Sequence, residues 1–219
     1  MLIEESIWIK TIFEKYFSEE NFPLLNIGSS TDHFRKVVQP QIHEHVFLPL
    51  ENKNLKIIHL DMKMEEGVDI IGDLSNDEFR SSLKKIGIKS VLCSNLLEHL
   101  SDPKPICTSI LDLLNSKDLI IVTVPKSFPY HKDPIDTYFR PSVEELHLLF
   151  PNTKIIRSEV VVSKASYAED LKNNKRFCAI MIARLVLPFF RPNEWSYILK
   201  DFLRMSKKYS ATCVILEKK

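Results

Sequence analysis

The sequence predicts an α/β fold: a parallel sheet with helices packed on both faces. Three observations carry that reading. Short apolar and β-branched runs alternate with amphipathic stretches along most of the chain. The first four runs end on, or just before, residues suited to a turn or a ligand: Gly28, Asp61, Asp73 and Asn95. A length of 219 residues, 44% hydrophobic and 27% charged, suffices for one sizeable core and argues against disorder, so residues 1–219 are expected to form one domain. Parallel neighbours require right-handed crossovers, and ligands of such sheets bind outside the carboxyl ends of the strands.

The elements follow in order. Ile9, Ile12, Phe13, Tyr16 and Phe17 recur at helical spacing, so residues 4–18, within an N-terminal segment 1–20, form an amphipathic helix ended by Asn21-Phe22-Pro23. Leu24 to Gly28 reads as a buried strand, Lys56 to Asp61 as a second and Val68 to Asp73 as a third. Ser75-x-x-Glu78 is a capping box for a helix to about Lys85. Ile88 to Ser94 is a fourth strand. Asn95-x-x-Glu98 opens a short helix, and Asp102-Pro103 opens the next, to about Asn115. Asp118 to Val124 has the β-branched content of a fully buried fifth strand. Residues 125–141 form a loop with four prolines, Ser142-x-x-Glu145 caps a further helix, and Thr153 to Val162 is a sixth strand. Residues 166–205 read as helical pieces, an insertion or lid, before a seventh strand over Ala211 to Leu216.

Composition excludes several classes. With 30 Lys+Arg against 29 Asp+Glu the net charge is +1, which removes the electrostatic argument for a dedicated nucleic-acid binder, since that would need a basic face. The four cysteines (Cys93, Cys107, Cys178, Cys213) form no C-x-x-C pair. Three stand in core-like runs, V-L-C, F-C-A-I and T-C-V-I-L, so free buried thiols of a reducing compartment are expected. The start, M-L-I-E-E-S, lacks a signal-peptide layout. The longest apolar stretch, Phe177 to Phe190, is broken by Arg184 and Pro188 and is too short to span a bilayer. The expectation is a cytoplasmic protein without a transmembrane segment. That apolar stretch reads as a core or lid helix, with a membrane-resting or homodimer-forming helix as alternatives. Lys172 to Arg176 is a solvated basic cluster.

Glycine is scarce: 4 residues, where average usage predicts roughly 15. The first loop, Gly28-Ser29-Ser30-Thr31-Asp32-His33, lacks the dinucleotide fingerprint G-x-G-x-x-G at Ser30 and His33. Gly28 alone still lets a backbone approach a ligand, or serves a plain turn. Asp61 is placed to accept from both ribose hydroxyls of a nucleoside cofactor, and Asp73 from an adenine amino group; each can also simply cap a turn. The segment between Gly28 and Asp61 is long, so an extra turn or loop is expected over Gln39 to Leu50. His43-Glu44-His45, with His33 nearby, reads there as a surface loop, and no metal is assigned.

These residues together resemble the S-adenosylmethionine-dependent methyltransferases of the Rossmann-like, class I type. The resemblance rests on Leu25-Asn26-Ile27-Gly28-Ser29-Ser30, His59-Leu60-Asp61, Val68-Asp69-Ile70-Ile71-Gly72-Asp73-Leu74, Ser94 to Pro103 with its N-x-L-E-H core, and Val124-Pro125. It covers roughly residues 20–150, and the later strands fit that family's closing hairpin. It implies a three-layer sandwich on a mostly parallel seven-stranded sheet with an antiparallel last strand. It also implies S-adenosyl-L-methionine as cofactor. Asn26, Gly28, Ser29 and Ser30 would hold the methionine part, Asp61 and Met62 the ribose, and Asp73 and Leu74 the adenine. Asn95, Glu98 and His99 would lie near the methyl group. The first loop departs from the family in keeping a single glycine.

The loop 125–141 is the second informative segment, because structureless connections of that length are usually functional. Its prolines, aromatic residues and the polar set His131, Asp133, Asp136 and Arg140 read as a wall of the acceptor site. His131 is the natural general base for a hydroxyl acceptor, with Asp136 to orient it and Tyr130 and Arg140 to contact substrate. A loop histidine bonded to backbone and a structural Asp136–Arg140 ion pair are the plainer alternatives. The leading expectation is a methyltransferase acting on a small-molecule or carbohydrate acceptor at oxygen. The glycine-poor loop motivates a catalytically inactive interaction module as the alternative. A nicotinamide-dependent oxidoreductase is disfavoured by Ser30 and His33.

Overall fold

The computed structural model describes residues 1–131, 135–187, 189, 192–203 and 206–219. Side chains alternating between two buried faces define its central strands. In β1 (Leu24–Ile27), Leu24 packs on one face and Leu25 and Ile27 on the other. The same division separates Leu92 from Val91 and Cys93 in β4 (Ser90–Ser94), and Ile121 from Ile120 and Val122 in β5 (Leu119–Ser127). It recurs in β7 (Lys208–Lys218), with Cys213 and Ile215 opposed to Val214 and Leu216. With β2 (Ile57–Asp61), β3 (Ile70–Ile71) and β6 (Thr153–Ser166), the sheet has seven strands in the order β3-β2-β1-β4-β5-β7-β6. Strands β3, β2, β1, β4 and β5 pair in parallel, and β7 runs antiparallel to both β5 and β6.

Helices cover both faces. The helix α1 (Ile3–Tyr16) lays Trp8, Ile9, Ile12 and Phe13 on the face that carries Leu24 and Leu92. On the other face, α3 (Asp77–Lys84), α4 (Lys104–Leu113) and α5 (Val143–Leu148) contribute Leu83, Ile110 and Leu146 to the core around Ile120 and Val122. Each fully buried aliphatic side chain of this kind is worth about 1.5–3 kcal/mol. Among the described residues, α6 (Tyr167–Asn173), α7 (Lys175–Val186) and α8 (Pro192–Leu203) lie in the connection between β6 and β7. Among the described residues, none of the helices is long and apolar enough to cross a membrane. The apolar run up to Phe190 is helical as far as Val186; Pro188 and Phe190 lie outside the described residues.

Several local expectations need correction. Residues 39–50 do not form a loop. Phe34–Val38 and Ile42–Phe47 are wide helical turns followed by α2 (Leu48–Glu51), because Ile42, Val46, Phe47 and Leu50 are buried against α1 and β1. His45 therefore bonds Ser6 Oγ at 2.8 Å, and His43 faces Glu51 at 3.9 Å. Helix α3 is capped by Asn76, whose carboxamide accepts from the Phe79 amide, because Ser75 is turned onto Asp73. Asn95 is not the cap: the 3-10 turn Leu97–His99 starts from Leu96, and the Asn95 carboxamide donates through Nδ2 to Glu5 Oε1. Strand β3 is a two-residue remnant of the predicted third strand, whereas β5 runs on through Pro125 to Ser127, so the loop begins at Phe128. The cysteines are free; Cys93, Cys107 and Cys213 are buried, but Cys178 is only half-buried.

Candidate functional site

The carboxyl ends of β1, β2, β3 and β4 open onto one cleft of about 500 Å³. Its floor is the turn after β1. Gly28 sits at φ 66°, a left-handed conformation that glycine adopts without strain, and a Cβ there would come within 2.9 Å of the Leu96 side chain. Ser30 occupies the left-handed region at φ 55°. Two contacts hold it: its amide donates to Asp61 Oδ2 at 2.9 Å, and its carbonyl accepts from Arg35 Nη1 at 2.7 Å. The same buried guanidinium donates to Ser29 O at 2.9 Å and to Gly67 O at 2.7 Å. Arg35 thus ties the first loop to the chain beyond β2. Gly67, at φ 82°, has no room for a Cβ, which would stand 2.8 Å from that guanidinium.

Asp61 ends β2. Besides the Ser30 amide it accepts the Lys63 amide, at 3.2 Å on Oδ1. An ionised carboxylate offers about four acceptor positions, so capacity remains on each oxygen toward the cleft. Asp73 lies across the same cleft, its oxygens taken by Ser75 N at 2.8 Å and Ser75 Oγ at 2.6 Å. Those bonds hold its carboxyl below the ordinary range. Asn26 Nδ2 meets His59 Nδ1 at 3.0 Å, and burial, reinforced by Arg35, pushes His59 down to about 4. Of the residues assigned to a cofactor, Asn26, Gly28, Ser29, Ser30, Asp61, Met62, Asp73, Leu74, Asn95 and His99 all line this cleft.

Glu98 is the exception. It faces an adjoining chamber of about 150 Å³ that shares Asn95 and His131 with the cleft. Its side chain is 0% exposed, and neither carboxylate oxygen has a hydrogen-bond partner among the described residues. Burial pushes its carboxyl up to about 7. Glu5, which sequence reasoning missed, also lines this chamber. From the first turn of α1 its buried carboxylate accepts Asn95 Nδ2 at 2.8 Å, Thr123 Oγ1 at 2.6 Å and the Leu2 amide at 3.0 Å. An acidic residue opening a helix signals only a capping role, so nothing local marked it as part of the site.

The loop after β5 is organised by Asp136, whose side chain is fully buried. It accepts both terminal nitrogens of Arg140 (2.8 and 3.2 Å), the Tyr138 amide (2.7 Å) and the His131 amide (3.0 Å), and Oδ2 lies 3.1 Å from His131 Nδ1. These donors outweigh burial and hold Asp136 well below the usual carboxylate range. For His131, burial works against the charge, yet the Asp136 hydrogen bond and charge prevail and raise its pKa above the ordinary value. His131 lines both cavities, whereas Asp136, Arg140 and Tyr130 line neither. The guanidinium assigned to substrate is engaged with Asp136, and Tyr130 stacks on Tyr197 of α8 at 4.8 Å between ring centroids. Asp133 lies outside the described residues.

Neither the protein-family models nor the sequences of curated proteins give a match to this chain. Solved structures do. The [4+2]-cyclase SpnF superposes with a TM-score of 0.57 at 15% identity, covering 97% of this chain and 81% of that one. The MccD protein gives 0.52 at 12%, with 96% of each chain covered. Phosphoethanolamine N-methyltransferase 2 of Haemonchus contortus, solved with phosphomonomethylethanolamine and S-adenosylhomocysteine, gives 0.51 at 10%, over 97% of this chain and 52% of that one. This chain has the class I methyltransferase fold. The strand order, with β7 antiparallel between β5 and β6, and the cleft over β1, β2, β3 and β4 are the features of the fold that position the residues above. The fold also carries a cyclase, so the reaction must be argued from the site.

Proposed function

We propose that this protein is an S-adenosylmethionine-dependent methyltransferase that acts at oxygen on a small-molecule or carbohydrate acceptor. One observation carries the reading: Asp61 and Asp73 line a single cleft floored by the Gly28–Ser30 turn, and that cleft shares Asn95 and His131 with a second chamber lined by Glu98. The residues fit the cofactor. Asp61 would accept from the ribose, Leu74 and Ile106 would offer apolar contact to the base beside Asp73, and Asn26 and Ser29 would hold the methionine part; all of them line the cleft. When bound, the cofactor supplies a methyl group already activated on a sulfonium.

The protein supplies alignment and a place for the acceptor proton. Oxygen Oδ2 of Asp136 only accepts, so the neighbouring His131 Nδ1 carries the proton and Nε2 presents its lone pair. That is the arrangement of an oriented general base. Glu5 fixes the Asn95 carboxamide between cleft and chamber, which makes it a positioning residue.

Titration calorimetry with S-adenosylmethionine, S-adenosylhomocysteine and NAD tests the proposal. Binding of the first two supports it; binding of NAD alone overturns it, and binding of none points to the inactive interaction module. With an acceptor in hand, His131→Ala lowers kcat about 10²–10⁴-fold while leaving cofactor affinity in place. Unchanged turnover removes His131 from the mechanism.

A further inference from the structure

The geometry points to a binding site for a divalent first-row transition cation, of the zinc class, formed by Glu98, His99 and His131. One ligand atom from each of the three lies within 4.8 Å of the others. Both histidines are already oriented as metal ligands are. Nδ1 of His99 faces the Ile135 carbonyl, and Nδ1 of His131 faces the Asp136 carboxylate. Those oxygens can only accept, so each Nδ1 carries the proton and each Nε2 offers a lone pair. Metal-bound histidines are nearly always fixed in this way, through the other ring nitrogen, by a carbonyl or carboxylate.

Glu98 supplies the independent observation. Its carboxylate is fully buried, neither oxygen has a hydrogen-bond partner among the described residues, and His99 Nε2 stands 3.8 Å from Oε1. A buried carboxylate left in this state is costly, and a cation removes the cost. Two imidazoles and one carboxylate are a donor set that zinc takes in catalytic sites, with a position left open. Zinc bonds of about 2.0–2.2 Å place tetrahedral ligands roughly 3.4 Å apart, so ligand atoms now up to 4.8 Å apart need to close by up to about 1.4 Å. Glu98 and His131 both line the smaller chamber, from which such an open position would be reached.

The cation site stands apart from the methyl-transfer reading, except that it claims the same Nε2 lone pair of His131. Loaded and metal-free protein therefore differ in which group meets an acceptor oxygen. The test uses the full chain, stripped with a chelator and titrated with Co²⁺ alone, followed by visible absorption and with Zn²⁺ as competitor. One equivalent binds with ligand-field bands of a low-coordinate site, and Zn²⁺ abolishes them. Glu98→Gln and, separately, His99→Gln weaken binding at least ~10-fold, while circular dichroism reports that each variant is folded. Absence of saturable binding up to about 1 mM overturns the proposal. So does binding that Glu98→Gln and His99→Gln both leave unchanged. S-adenosylhomocysteine affinity, measured on the same samples, reports the cofactor reading separately, so either can fail alone.

Discussion

The Ser30 amide and the Asp61 carboxylate meet at 2.9 Å, joining two turns that lie 31 residues apart in the chain. The acid thereby holds a serine in the left-handed region where that residue type is strained, and keeps its remaining acceptor positions toward the cleft. A structural and a ligand-binding role coincide in one side chain. Asp61→Ala strands the Ser30 amide and is expected to lower stability by about 1–3 kcal/mol in urea denaturation. Lys63→Ala, which removes only a side chain whose amide contacts Asp61, should change stability by less than about 0.5 kcal/mol.

Arg35 is the keystone of the same loop. Its guanidinium satisfies the carbonyls of Ser29, Ser30 and Gly67. Arg35→Met leaves those three acceptors without their donor, and a loss of about 2–4 kcal/mol is expected by chemical denaturation. A loss below ~0.5 kcal/mol would mean that water replaces the guanidinium and that the loop is held by Asp61 alone.

His59 predicts a pH dependence of stability. Burial, then the charge of Arg35, lowers its pKa from the ordinary 6.5 to about 4. The folded state therefore favours the neutral ring. That contribution is complete above about pH 6.5 and is lost as pH falls from there toward about 4, where the folded protein too takes up the proton. The difference is of the order of 2–3 kcal/mol. Comparing His59→Gln with the parent at pH 7.5 and pH 4.5 isolates it: the parent should lose more stability on acidification. Equal losses in the two proteins would show that His59 is accessible to solvent protons in the fold.

The strands were legible because burial on both faces writes continuous apolar runs such as Leu119 to Val124, and the Asp61, Asp73 and Asn95 positions follow from where those runs stop. Long-range polar contacts were not legible. Glu5 reaches Asn95 and Thr123 over 90 and 118 residues, and Arg35 reaches Gly67 over 32, distances at which no local spacing carries information. The same cause undid the capping reading of Asn95 and Glu98. The motif satisfies the local rule for a capping box, but Glu5 withdraws one partner and burial isolates the other. The segment 39–50 was misread because its apolar residues answer to α1 and β1, against which they are buried. His99 and His131, 32 positions apart in sequence, come together only through the path of the loop after β5, with ring centroids 5.2 Å apart.

The affinity for S-adenosylhomocysteine of the parent chain and of Asp61→Ala, measured by calorimetry at a temperature where both are folded, tests the adenosyl cleft most directly. Loss of a charge-assisted pair of hydrogen bonds predicts measurable binding by the parent and binding weaker by about 10–100-fold in the variant. Equal affinity in the two proteins would contradict the account, because the ligand would then sit somewhere other than against the end of β2.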